Sequence, residues 1–209
     1  MTDVHLVRHG ETVWHAENRY AGSTDVPLTE RGRMQAQELA RWAAGAGLTR
    51  VLSSDLGRAR DTATLAADAA GLPLEIDSRL REIDFGRAEG LTAAEMDAAF
   101  PEARAAFLAA PATSPLPGGE PGAVVADRML AALADAIRGT DGPVLIVGHT
   151  TAIRLALCAL LGLPLDGYRD RFPSLHNAAL TTVRLPQHGD LRGAGALLAL
   201  NAPAVPRGG

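Results

Sequence analysis

Short apolar runs alternate along the chain with longer stretches in which apolar residues recur every three or four positions. Val4 to Val7 is too short for a helix and runs into Arg8-His9-Gly10, so it reads as a buried strand ending in a loop. Thr29 can cap a helix from about Glu30 to Ala46, closed by Gly45 and Gly47. Arg50 to Ser53 reads as a second strand. Asp55 can cap a helix through Arg58 and Thr62 to Ala70, ended by Gly71, and Leu74 to Ile76 forms a short third strand. Leu91 to Ala110 is helical with a break at Pro101, and the Pro- and Gly-rich stretch Ala112 to Gly122 is a loop or hinge. A helix follows from Ala123 to Arg138. Pro143 to Val147 carries the strongest strand pattern, and Gly148-His149 leads into a helix that starts at Thr150 or Thr151 and runs through Leu161. Ala179 to Leu185 and Ala196 to Leu200 read as late strands, antiparallel at a sheet edge.

Strands alternating with helices predict an α/β fold, a three-layer α/β/α arrangement with a mostly parallel central sheet. Such sheets place ligands beyond the carboxyl ends of their strands. That rule gathers Arg8 and His9, Arg58 and His149 at one edge, as an anion site with a nucleophile or base inside it. One domain is expected over residues 1–201, with 91–122 as a small helical lid or insert and 202–209 as a flexible tail.

The composition fits an ordinary globular chain, with 47% hydrophobic and 21% charged residues. A net charge of -4 argues against a general nucleic-acid or anionic-membrane binder, though not against a local basic pocket. Cys158 stands alone in an apolar run, which points to a buried inert thiol in a reducing compartment. The N-terminus lacks a basic segment followed by a long apolar stretch, and the apolar stretch from Ala152 to Leu165 is interrupted by Arg154. A cytoplasmic protein is therefore expected. The sequence contains no His-Glu-x-x-His or paired-cysteine spacing, no Gly-x-x-x-x-Gly-Lys-Ser/Thr loop and no Gly-x-Ser-x-Gly elbow. Neither a metal nor another cofactor is expected.

Leu6-Val7-Arg8-His9-Gly10-Glu11-Thr12 resembles the signature of the histidine phosphatase superfamily, the phosphoglycerate mutase-like family. Three further segments resemble the family's motifs, in the family's order. They are Ser53 to Ala63 around Arg58, Leu80-Arg81-Glu82-Ile83-Asp84-Phe85-Gly86 followed by Glu89-Gly90, and Val147-Gly148-His149. The resemblance reaches from residue 4 to about residue 185, and its weight lies in the ordered set rather than in one tripeptide.

The resemblance implies a phosphomonoesterase of the histidine acid phosphatase type. His9 would attack phosphorus and carry the phosphoryl group covalently. Arg8 and Arg58 would balance charge on the phosphoryl oxygens, with a protonated His149 as a third donor, so that no metal is needed. Glu82 would protonate the leaving group and then activate water. Asn18 is expected at the substrate, and Gly22 and Ser23 in the same loop are expected to line the pocket. His15 stands where relatives often carry an asparagine, so it either donates in that residue's place or narrows the pocket. His176 either reaches the pocket or makes a loop contact. Asp84 and Glu89 compete with Glu82 for the acid role and read better as structural, fixing Arg81 or Arg87.

The expected substrate is a small phosphorylated metabolite, with no nucleic-acid or membrane partner; a homodimer through an edge strand stays open. Two other functions also stay open: a phosphoglycerate mutase-type transfer and a non-catalytic phospho-ligand binder. Leu91 to Ala123 offers only Arg104 as a base, which favours hydrolysis over a mutase that must hold a second anion. It suggests an apolar lid of Phe100, Phe107 and Leu108 over an uncharged or partly apolar substrate. A lysine-free, alanine-rich chain also suits a bacterial source.

Overall fold

A computed structural model describes residues 1–205. Strands β1 (Thr2–Arg8), β2 (Arg50–Ser53), β3 (Leu74–Ile76), β4 (Val144–Gly148), β5 (Leu180–Leu185) and β6 (Ala196–Ala202) form one sheet in the order β3-β2-β4-β1-β5-β6. The neighbours from β3 to β1 run parallel, while β5 and β6 add antiparallel at the other edge. The principal helices are α1 (Glu30–Ala43), α2 (Gly57–Ala70), α3 (Ala93–Ala99), α4 (Pro101–Ala109), α5 (Gly122–Ile137), α6 (Thr150–Leu160) and α7 (Tyr168–Arg171).

The apolar run of β4 is continuous, and that of β1 is interrupted only by His5, because both faces of the sheet are covered. Side chains alternate across a strand, so Val4, Leu6, Val144 and Ile146 enter one core with residues of α5 and α6. Val7, Leu145 and Val147 enter a second core with residues of α1 and α2. The three layers follow from that alternation.

Most elements start and stop where the pattern places them. Thr29 caps α1 by accepting from Gly32 N at 3.0 Å, and Gly71 closes α2 in the left-handed region at φ 68°. Asp55 does not cap α2. Its carboxylate takes the Arg81 guanidinium instead, and Leu56 occupies the cap position without a side-chain bond. The break at Pro101 separates α3 from α4. Met96, Phe107, Ala112 and Leu116 of the 91–122 segment are buried in the same core as α5 and α6. β6 continues to Ala202, one residue into the segment expected to be a tail. Residues 206–209 of that expected tail lie outside the described ones.

Among the described residues, no helix is long and apolar enough to cross a membrane. Cys158 is buried, and burial pushes its thiol up to about 11, as befits an inert packing group.

Candidate active site

Parallel pairing of β1 with β4 sets Arg8 beside Gly148, and the His9 amide donates to the Gly148 carbonyl at 3.0 Å. His9 and His149 thus leave adjacent strands at the same level, and their ring centroids lie 5.2 Å apart. Arg58 comes from the first turn of α2, just beyond the end of β2.

His9 Nδ1 lies 2.7 Å from the Gly10 carbonyl oxygen. A carbonyl only accepts, so Nδ1 carries the proton and the lone pair sits on Nε2. Arg58 Nε–H points at that Nε2 from 3.2 Å. Burial first, and then the charges of Arg58 and Arg8, hold the His9 imidazole well below the ordinary histidine range. His9 is therefore a neutral imidazole with an oriented Nε2 lone pair.

Arg58 is 1% exposed, and its guanidinium is spread over backbone oxygens. Nη1 donates to Thr24 O at 2.8 Å, and Nη2 to Ala21 O at 3.1 Å and Gly22 O at 2.8 Å. The loop that offers these carbonyls is held in turn by Glu89, whose carboxylate accepts from Ser23 N at 2.6 Å and Thr24 N at 2.9 Å. A Cβ at Gly22 would meet Glu89 Oε1 at 2.1 Å, so the loop requires glycine there. Glu89 therefore fixes Ser23 and Thr24 rather than Arg81 or Arg87.

His149 is fully buried, and its Nε2 lies 2.7 Å from Ser54 Oγ. Ser54 Oγ also accepts from Leu56 N at 3.4 Å, which leaves its own proton for the ring. Nδ1 then carries the His149 proton, and it is a buried donor with no protein partner. Burial and the charge of Arg58 hold this ring, too, well below the ordinary range. The expected donation from a charged His149 is thus corrected: the donor here is the Nδ1–H of a neutral ring set by Ser54.

Glu82 approaches the start of α6, where Oε2 accepts from Thr151 N at 3.0 Å and Oε1 from Ala152 N at 2.8 Å. Ile83 N adds a bond to Oε1 at 2.9 Å. Arg128 of α5 gathers the carbonyls of Arg79, Arg81 and Glu82 at 2.7 to 3.0 Å, fixing the segment that carries Glu82. Arg128 is itself held by Glu120 at 2.8 Å. Asp84 accepts from Gly86 N at 2.6 Å and lies outside the cavity over His9.

That cavity has a volume of about 480 Å³. Arg8, His9 and Glu82 line it together with Thr150 and Thr151, and among the described residues Glu82 is the one carboxyl in its lining. Trp14, Tyr20, Phe85 and Tyr168 form its apolar surface. Among the described residues, no group of three or more His, Cys, Asp and Glu side chains comes together to hold a metal ion.

The four motifs that the sequence spreads over some 140 positions thus meet around His9: Arg8, His9 and Glu82 line the cavity, while Arg58 and His149 lie against the His9 ring. Residues 4–192 match the histidine phosphatase superfamily, branch 1. The chain belongs to the histidine phosphatase superfamily. It is 36% identical over 184 residues to a protein of Enterobacter sp. named probable phosphoglycerate mutase GpmB, covering 88% of this chain and 85% of that one. The structure of mycobacterial glucosyl-3-phosphoglycerate phosphatase, in complex with VO3, superimposes with a TM-score of 0.85 at 33% identity, over 97% of this chain and 100% of that one. Alpha-ribazole phosphatase of Shigella flexneri gives a TM-score of 0.84 at 26% identity, with both chains covered fully.

Two of the superfamily motifs line the cavity and the other two back His9, while the residues expected at the substrate divide. Asn18 lines the cavity with its backbone in the left-handed region at φ 52°. His15 also lines it, but its Nε2 accepts from Arg8 Nη2, so it holds Arg8 in place rather than offering a free donor. Gly22 is buried behind Arg58, and Ser23 faces Glu89; neither lines the cavity. His176 is exposed and its amide donates to Asn201 Oδ1 at 2.8 Å. Its neighbour Asn177 reaches the site instead, donating to His9 O at 2.8 Å.

The expected apolar lid is also corrected. Phe107 is in the core, Phe100 packs against it, and Leu108 is exposed; none of them lines the cavity. Arg104 turns inward over Tyr20 and Phe107. The cavity's cations come from elsewhere in the chain, from Arg19, Arg154 and Arg169. The sequence does not mark Ser54 or Arg128 as site residues: Ser54 stands inside a recognised motif, whereas Arg128 carries no local signal.

Proposed function

We propose that this chain is a metal-independent phosphomonoesterase that acts through a covalent phosphohistidine at His9 on a small phosphorylated metabolite. The observation that carries this reading is the state of His9. Its proton is committed to Gly10, its Nε2 lone pair is free of any proton, and the charge around it is positive.

A bound phosphomonoester would place its phosphorus against Nε2. The N–P bond forms as the bond from phosphorus to the ester oxygen breaks. In this reading Arg8, Arg58 and the Nδ1–H of His149 donate to the three peripheral oxygens, supported by the contact of Arg58 with His9 and by a His149 Nδ1–H without a partner among the described residues. The leaving oxygen takes a proton from Glu82, and the alcohol departs. Water then attacks the phosphohistidine, Glu82 takes its proton, and inorganic phosphate leaves with His9 restored. Fixed guanidinium groups supply the charge balance that a metal provides in other phosphoryl-transfer sites.

The relatives include proteins named for phosphoglycerate mutation and for hydrolysis of two different phosphomonoesters. The test is phosphate release from a panel of phosphomonoesters, with chelator present and His9→Ala as control. Release that persists in chelator and disappears in the variant supports the reading. Interconversion of phosphoglycerates without phosphate release overturns it in favour of a mutase, and absence of any turnover leaves a binding protein.

A further inference from the structure

We propose that Arg128, tied to Glu120, is the positioning residue of the general acid, and that the pair governs proton delivery to the leaving group without touching the substrate. The proposal deepens the reading of Glu82 as the acid and rests on it. The bonds that orient the Glu82 carboxylate come from the N–H groups of Ile83, Thr151 and Ala152. Thr151 and Ala152 belong to α6, whereas the main chain of Glu82 lies between β3 and α3. The carboxyl therefore keeps its place as long as the 79–82 main chain is fixed relative to α6. The charged neighbours of Glu82 in its own motif are engaged elsewhere: Arg81 donates to Asp55 at 2.6 Å, and Asp84 accepts from Gly86 N at 2.6 Å.

Arg128 supplies the link. A guanidinium has five N–H donors, and all five are used here. Nε and Nη2 donate to the two carboxylate oxygens of Glu120, each at 2.8 Å. Nη1 donates to Arg79 O and Arg81 O, each at 2.7 Å, and Nη2 to Glu82 O at 3.0 Å. Three carbonyl oxygens turned toward one point repel each other, and the cation between them holds the chain in that shape. Arg128 belongs to α5, whose buried face shares a core with α6. The main chain of the acid and the N–H groups that receive its carboxylate are thus tied to one packed pair of helices. Glu120 closes the other side, since its amide donates to Asp84 O at 2.8 Å. Neither Arg128 nor Glu120 lines the cavity over His9, so both act through Glu82. A misplacement of that carboxyl by about 1 Å is enough to lower the rate about a hundredfold.

The test varies the leaving group. As the bond from phosphorus to the ester oxygen breaks, the Glu82 proton passes to that oxygen. The alkoxide of glycerol 2-phosphate needs this proton, whereas p-nitrophenolate leaves without one. kcat/KM covers the steps up to departure of the alcohol, so it reports on Glu82 as acid and not as base. Arg128→Gln is expected to lower kcat/KM for glycerol 2-phosphate by about tenfold to a hundredfold, the range for losing a group that orients a functional side chain. For p-nitrophenyl phosphate the loss should stay below about threefold, because no proton transfer is at stake. Arg128→Lys, with three donors in place of five, should recover part of the difference, and Glu120→Gln should show a smaller loss of the same kind. Should Arg128→Gln not fold, these two variants carry the comparison. Equal losses for both esters, or no loss, overturn the proposal and leave Arg128 a stabilising group, which its Tm reports separately. Glu82→Gln is the reference and should show the same split in larger form. If it does not, the acid assignment fails and the proposal with it; if it does and the Arg128 variants do not, the proposal alone fails.

Discussion

Arg58 donates its Nε–H to His9 Nε2 at 3.2 Å, so the nucleophile's lone pair is engaged by the cation that is to stabilise its product. The same guanidinium is anchored to three carbonyls of the Ala21–Thr24 loop. On the proposed mechanism Arg58 positions the ring before reaction and meets the phosphoryl oxygens during it. Arg58→Ala is expected to lower kcat by about a hundredfold to a thousandfold, the usual loss for one preorganised donor. Arg58→Lys should recover little, because one ammonium cannot reach His9 and three carbonyls together. Steady-state kinetics on the best ester decides; near-normal kcat in the lysine variant would show that charge alone matters.

Ser54 sets the tautomer of His149 from 2.7 Å. Ser54→Ala leaves a buried ring nitrogen without a partner, at a cost of roughly 1–3 kcal/mol. The ring then loses its fixed orientation, so kcat should fall about tenfold with a smaller change in KM. Ser54→Thr keeps the hydroxyl and should restore part of the kcat. Kinetics and thermal unfolding of both variants check this; an alanine variant with lowered Tm but normal kcat would make Ser54 purely structural.

The two buried histidines give stability a direction in pH. Both are held well below the ordinary range in the native state, while unfolded histidines take up protons near pH 6.5. As pH falls through about 6.5 the unfolded chain binds more protons than the native one, so stability is full above that pH and declines below it. The decline is at most about 1.4 kcal/mol per pH unit for each histidine. Urea midpoints between about pH 5.5 and 7, above the carboxylate range, measure it, and His149→Asn should remove about half the slope. A flat profile in the unmodified protein would contradict the burial of neutral rings.

The loop after His9 is pressed against the first turn of α1. A Cβ on Gly32 would lie 2.1 Å from Glu11 O, and one on Gly10 would lie 2.4 Å from Gly32 O. Alanine in a helix is ordinarily better than glycine by about 1 kcal/mol, whereas overpacking costs about 1–3 kcal/mol. The contact is backbone to backbone and cannot yield cheaply, so overpacking should win. Gly32→Ala is expected to lower both Tm and kcat, because Glu11 stands two residues after His9. A rise in Tm would show that the helix can move away from the loop.

How far the sequence reaches is clear at particular residues. The continuous apolar run at Val144–Val147, and the one at Val4–Val7 broken only by His5, are too short for helices and read as strands covered on both faces, which points to the layered fold. The ordered motifs around His9, Arg58, Glu82 and His149 name the groups that meet around His9, three of them at a strand end or helix start that local pattern already marks. Local pattern could not place groups whose role depends on a partner far along the chain. Arg128 finds three carbonyls some 46 to 49 positions away, Asn177 reaches back 168 positions to His9, and Arg154 and Arg169 share a wall with Arg8. The segment between the acid motif and the second histidine motif supplies none of the cavity's cations among the described residues: Arg8 and Arg19 precede it and Arg154 and Arg169 follow it, because sheet order and the packing of α6 and α7, rather than position along the chain, decide which side chains face one volume. The sequence by itself determined the layers and the reacting groups, since those follow from periodicity and from short motifs. Only the tertiary structure decided how those groups are oriented and what else surrounds the substrate, since orientation and charge balance arise from contacts between distant segments.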